Sequence, residues 1–265
     1  MTGRASSRSP GIAPRSPRSA KGSIKPEPWL TELIEVAVAA RKGQNPEVVH
    51  RLRVALERLR VWLVLGRRRE PRNDLRWVRG QLGALRDIDV QLALGPPEAL
   101  AAKLRAERVP ALRRLRRALR SDRFTRAVAA LRAMPPLPRA TAVRGAARGA
   151  RRTVKRGDRL RRRRGDWASL HALRRAVRRT RYALDWLDEP SSHLGALQQS
   201  LGAIGDRRAL IERLGRGVGE RGYGKRLQRA CDAHTDVVLA SWAEVRKALK
   251  ELRHGQAPPS PHRRR

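Results

Sequence analysis

A chain of 265 residues with 62 Lys and Arg against 24 Asp and Glu carries a formal charge of +38, an imbalance that is self-repelling in a folded state and points to an anionic partner. Hydrophobic content of 40% suffices for a core, but 3% aromatic residues and the lack of β-branched runs limit that core to Leu/Ala-rich helix. The lone Cys231 excludes an internal disulfide framework and fits a reducing interior. No apolar run approaches the roughly 18 residues of a membrane span, and the amino terminus lacks a secretory segment.

Residues 1–28 form a Ser/Pro/Arg tract without apolar periodicity, expected to be a disordered basic tail. From Trp29 to about Arg41, Leu30, Leu33, Ile34, Ala37 and Val38 keep helical spacing. Asn45 as N-cap and Pro46 at the first helical position open a second helix, which Glu70-Pro71 separates from a third, about Asn73 to Leu94. Gly95-Pro96-Pro97 stops that helix, and a fourth continues to about Arg120 with Pro110 as a point of kinking, which completes a four-helix bundle. A short helix from Asp122 to about Ala133 leads into Met134-Pro135-Pro136-Leu137-Pro138, the expected boundary between halves 29–133 and 139–252.

Beyond that boundary a helix from about Ala140 to Arg163 carries Arg144, Arg148, Arg151, Lys155 and Arg159 on one face. The next starts near Trp167 and ends before Glu189-Pro190, and another runs from Ser192 to about Leu214. A glycine-rich turn from Gly215 to Gly224 gives way to a last helix ending near Leu252, and 253–265 read as a second basic tail. Within that turn, Gly217 to Gly222 matches a dinucleotide fingerprint as a string and Gly219 to Lys225 nearly matches a P-loop. Both motifs need a preceding strand, whereas Ile211 to Leu214 reads as a helix end, and the P-loop needs Ser or Thr where Arg226 stands. The glycines are read as helix breakers.

One stretch occurs twice: HRLRVALERLRVWL from His50 to Leu63, and HALRRAVRRTRYAL from His171 to Leu184, identical at seven of fourteen positions. Each reads as a helix whose apolar residues recur at three- and four-residue steps. Along the edge of the apolar face lie His50, Arg53, Glu57 and Arg60 in the first copy, and His171, Arg174, Arg178 and Arg181 in the second. Cations beside a core-facing stripe sit where packed elements form a groove. A second match follows each copy, LGALRDIDV from Leu82 and LGAIGDRRA from Leu201, with Asp87 and Asp206 aligned. Helix plus helix is therefore the repeated unit. A solvated basic face would explain one such strip, but two at the same register favour a binding role.

The two His-x-Leu-Arg openings, the basic residues seven to ten positions on, and the Leu-Gly-Ala-Leu-Arg-Asp segment ending at Asp87 resemble the CHAD domain, over roughly Trp29 to Leu252. The resemblance implies an all-α fold of two pseudo-symmetric antiparallel four-helix bundles, forming a basic groove or pore that binds inorganic polyphosphate. It also implies association with polyphosphate granules in the cytoplasm. Two departures stand out. Glu57 occupies a position where the family usually carries a basic residue, and Gly205 replaces the Arg of the pair Arg86-Asp87, so the first half-site is expected to be the weaker.

The expected binding residues are His50, Arg53, Arg60, His171, Arg174, Arg178 and Arg181 on the inner groove, with Arg58, Arg179 and the stripe Arg144 to Arg159 extending the basic track. Guanidinium forks suit phosphate oxygens, and a polyanion would raise the pKa of His50 and His171. Asp87 and Asp206 read as orienting partners for a neighbouring Arg or His rather than as metal ligands. No His/Cys/Asp/Glu set has zinc-site spacing, no cofactor is implied, and no nucleophile has an apparent base, so binding rather than catalysis is expected. Backbone binding of DNA or RNA is the alternative, although six Trp, two Tyr and one Phe, mostly at apolar helical positions, leave few stacking platforms for bases.

Overall fold

The structure, a computed structural model, describes residues 22–163, 166–189, 191–214 and 221–254. Four helices pack each on the next: α1 (Glu27–Lys42), α2 (Pro46–Leu65), α3 (Arg72–Ala93) and α4 (Glu98–Arg120). After α5 (Asp122–Ala133), which lies against α1, α3 and α4, the pattern recurs with α6 (Arg139–Arg162), α7 (Trp167–Asp185), α8 (Ser192–Leu214) and α9 (Arg221–His254). The all-α reading holds, and the boundaries follow local chemistry. The Asn45 side chain accepts from Glu47 N at 2.8 Å to open α2, and Ser121 Oγ accepts from Phe124 N at 3.3 Å to open α5. The Asp166 carboxylate accepts from Ala168 N and Ser169 N, each at 3.2 Å, to open α7. Each such cap contributes about 1 kcal/mol. α4 continues through Pro110 without a break.

The amino-terminal reading needs correction. Residues 22–28, expected in the tail, hold β1 (Ser23–Ile24) and the start of α1; β1 pairs antiparallel with β2 (Leu137–Pro138) inside the Pro-rich segment. Arg139 N donates to Gly22 O at 3.0 Å and Trp62 Nε1 donates to Ile24 O at 3.1 Å, so the stretch is tied to the core by backbone acceptors that carry no hydrophobic signature. Gly222 and Gly224, expected in a turn, belong to the first turns of α9, and that helix also takes in 253–254. Residues 1–21, 215–220 and 255–265, with most of both tails and part of each of the two glycine strings, lie outside the described residues.

The Pro-rich boundary does not separate two cores. The larger hydrophobic cluster joins α1 to α5 with Ala142 and Ala146 of α6, Tyr182 and Ala183 of α7, and Leu210 of α8. A second cluster, including Leu160, Leu173, Val177, Leu201 and Trp242, fills the space among α6 to α9. Polar contacts stitch the halves together: Trp186 Nε1 donates to Arg58 O at 2.9 Å, Tyr223 Oη donates to Leu94 O at 2.8 Å, and Arg58 bridges to Asp185 at 2.8 Å. This joint brings α2 and α7, the two repeat helices, side by side. Among the described residues no helix is long and apolar enough to cross a membrane.

Candidate functional site

Between α2 and α7 lies a cleft of about 390 Å³. α2 contributes Arg53, Glu57 and Arg60, α3 contributes Arg76 and Arg79, and α7 contributes His171, Arg174, Arg175, Arg178 and Arg179. Toward the N-terminus of α2 the cleft passes, through the shared Arg53, Arg174 and Arg178, into a chamber of about 140 Å³ that adds His50, Arg86, Asp87, Tyr182, Gln198 and Asp206. In the other direction the shared Arg60, Arg76 and Arg179 lead into a chamber of about 320 Å³, where Arg72, Arg152 and Arg156 face Val61, Val64, Leu65 and Ala183. The three spaces form one channel with Glu57 on the wall of each.

Two ion pairs hold the channel's arginines at matching positions of the repeats. Arg53 Nη1 lies 3.6 Å from Asp87, and Arg174 Nη2 lies 3.0 Å from Asp206. Gly205 stands where the first repeat has Arg86, and a Cβ there would collide with the Arg174 guanidinium. Its bareness gives Arg174 room to reach Asp206. Glu57, which matches Arg178 of the second repeat, is only 4% exposed and is ringed by guanidiniums: Arg60 at 3.2 Å, Arg178 at 3.7 Å and Arg79, whose Nε donates to Oε1. Burial pushes the Glu57 carboxyl up, but Arg178, Arg60 and Arg79 together outweigh burial and hold it below the usual carboxylate range.

Both histidines are held below the usual imidazole range. For His50 the cause is burial, then Arg86, with Glu47 partly opposing and Arg53 adding; for His171 it is burial, then Arg175, Arg174 and Arg178. His50 Nδ1 is buried without a hydrogen-bond partner, and the His171 ring sits 5.9 Å from that of Trp167. Arg60, Arg178 and Arg179 are also pushed down, first by burial and then by their cationic neighbours, with Glu57 opposing. Nε of both Arg60 and Arg178 is buried without an acceptor. The channel wall is thus crowded with like charges and unused donors, which an entering anion would relieve.

Of the residues expected on the groove, His50, Arg53, Arg60, His171, Arg174, Arg178 and Arg179 line the channel, and Asp87 and Asp206 hold two of them. Arg58 does not. Its guanidinium packs 3.8 Å over the Trp29 ring and 5.0 Å from that of Tyr182 while bridging to Asp185, so it belongs to the joint between the halves. Arg181 is half-buried and absent from the channel lining. None of Arg144, Arg148, Arg151, Lys155 and Arg159 lines it either; Arg151 and Lys155 border a separate open depression with Asp158 and Arg162. The channel receives their neighbours Arg152 and Arg156 instead.

Sequence reasoning also missed the α3 contribution and Arg175. Arg72, Arg76, Arg79 and Arg86 recur at steps of four, three and seven, a helical row that could have marked α3 as a channel wall. Among the described residues no group of three or more His, Cys, Asp or Glu converges on a point that could hold a metal ion.

The family model described as the CHAD domain matches residues 30–215, and no curated protein matches the chain. Among solved structures, the crystal structure of the CHAD domain from the plant Ricinus communis is similar with a TM-score of 0.63 and 22% identity, over 94% of this chain and 99% of that one. PptA from Streptomyces chartreusis is similar with a TM-score of 0.57 and 19% identity, over 87% of this chain and 95% of that one. At these identities the likeness is one of fold.

Proposed function

Because this chain belongs to the CHAD domain family, whose model spans 30–215, we propose that its channel binds inorganic polyphosphate and that the protein is a binding module rather than an enzyme. The observation that carries the reading is the continuity of the channel: arginines from α2, α3, α6 and α7 follow one another along a path that runs the length of the repeat helix. A chain of phosphoryl groups presents a charge at every unit and no base or sugar edge, which is what a row of guanidinium forks recognises. Association with cytoplasmic polyphosphate granules belongs to the same reading.

The placement of aromatic rings favours a bare phosphate chain over nucleic acid. Trp62, Trp186, Trp242, Tyr223 and Phe124 are buried in the cores, and Trp29 and Trp77 are capped by Arg58 and Arg123. Among the described channel-lining residues Tyr182 is the one aromatic, itself buried, which leaves no row of platforms on which bases could stack.

Binding of long-chain polyphosphate across a salt series tests this, with Arg175→Ala plus Arg179→Ala as the variant. Both residues are exposed on the cleft and neither has a carboxylate partner among the described ion pairs, so the fold does not depend on them. The expected result is roughly tenfold weaker binding with a shallower salt slope. Unchanged affinity would remove the channel as the site, and displacement of polyphosphate by duplex DNA or RNA at equal phosphate concentration would transfer the assignment to nucleic acid.

A further inference from the structure

Glu57 is anomalous in a cationic channel. It stands on the wall of all three spaces, it is almost wholly buried, and the matching residue of the second repeat is Arg178. Its carboxylate engages Arg60, Arg79 and Arg178, which occupy the middle of the track. Arginines without a carboxylate partner among the described ion pairs lie on either side, Arg86 beyond one end of Glu57 and Arg72, Arg152 and Arg156 beyond the other, while Arg76, Arg175 and Arg179 line the central cleft with it. From His50 to Arg60 the helix alone spans about 15 Å.

We propose that the Glu57 carboxylate is a fixed internal competitor in the middle of the basic channel, so that only a polyanion long enough to reach the arginines on both sides of it binds tightly. The inference rests on the polyphosphate reading and adds chain-length selection to it. A short phosphate meets an incomplete set of cations, because Arg60, Arg79 and Arg178 are already paired and a like charge stands in their midst. A long chain reaches the outer arginines on both sides of Glu57 at once. The second contact is then intramolecular and offsets passage beside Glu57.

The experiment compares inorganic tripolyphosphate with long-chain polyphosphate on the full-length protein, wild type against Glu57→Gln, with Glu57→Asp as the charge-preserving control. Glu57→Gln is expected to raise tripolyphosphate affinity by roughly tenfold and long-chain affinity much less, so that the selectivity ratio falls, while Glu57→Asp keeps the wild-type ratio. An unchanged ratio in Glu57→Gln, or a ratio lost equally in Glu57→Asp, would overturn the proposal while leaving polyphosphate binding intact. Wild type that binds no long chain would bring down both readings. Should Glu57→Gln fail to fold, Arg79→Gln reads the opposite sign: with Glu57 less neutralised the ratio rises, and a fall or no change overturns the idea.

Discussion

Oε1 of Glu57 lies 3.7 Å from Nη2 of Arg178, and the two residues hold the same register position, seven after the histidine, in the two copies of the repeat. At this position the duplicated helices touch each other rather than two separate ligands. A cation in both copies would set two buried guanidiniums against one another; one carboxylate removes that repulsion and recruits Arg60 and Arg79 as well. The difference between the two copies at this position is therefore a structural device at the seam between halves.

Acid should loosen that seam. The Glu57 carboxyl is held below its ordinary value of 4.5, the three guanidiniums outweighing the upward push of burial. A carboxyl whose folded pKa is depressed contributes stability that is present above the unfolded value and lost as pH falls through the folded one. Denaturant melts at descending pH should show wild type losing stability below the ordinary carboxylate range, with Glu57→Gln less stable at neutral pH but flatter in that acidic window. Parallel curves for the two proteins would show that Glu57 is not the linked group.

Polyphosphate binding should take up protons. His50 and His171 are held below 6.5, in each case by burial first and then by neighbouring arginines, so both are largely neutral in the free protein at neutral pH. An arriving polyanion raises both values, which makes affinity rise as pH falls from neutrality toward the free-state values and level off beneath them. Calorimetric titrations in buffers of different ionisation enthalpy measure the proton uptake. His50→Gln plus His171→Gln should abolish most of it and flatten the pH profile.

Filling Gly205 should affect binding more than folding. An added Cβ meets the far end of the Arg174 side chain, which can swing aside at little cost, but the 3.0 Å bridge to Asp206 is lost with it. Gly205→Ala is expected to change stability by less than about 1 kcal/mol and to weaken long-chain polyphosphate binding severalfold. Thermal melts and binding isotherms on the same preparation separate the two effects.

The helices were legible because their signals are local: Asn45-Pro46, Gly95-Pro96-Pro97 and Ser121-Asp122 punctuate the chain whatever it packs against. Much of the channel was legible too, since duplication exposes a register that one copy would hide. How α6 is turned was not. The stripe from Arg144 to Arg159 and the pair Arg152 and Arg156 are equally cationic. What chooses between them is the close approach of α6 to α7, where Thr153 and Thr180 share a buried hydrogen bond of 2.9 Å and Gly149 lies against Thr180. Arg58 and Arg179 make the same point, because they match in register yet differ in role. Arg58 finds Asp185 across the joint, whereas the first-copy equivalent of Asp185 is Val64, which leaves Arg179 to the channel. Only the tertiary partner distinguishes them.

Gly157 gives the sharpest test of how α6 meets α9. It is buried, and a Cβ on it would land within the indole ring of Trp242, which is 2% exposed and whose Nε1 donates to Asp158 at 3.1 Å. Neither the ring nor the helix backbone can yield without breaking that bond or opening the second core. Gly157→Ala should therefore cost about 1–3 kcal/mol, as overpacking does, despite the better helix propensity of alanine, and the melting temperature should fall by several degrees. Trp242→Leu alone leaves a cavity and is destabilising in its own right. Combined with Gly157→Ala it gives the new methyl group somewhere to go, so the double variant should be more stable than the sum of the two losses predicts. Strict additivity in that cycle would mean that α6 and α9 do not meet at this contact.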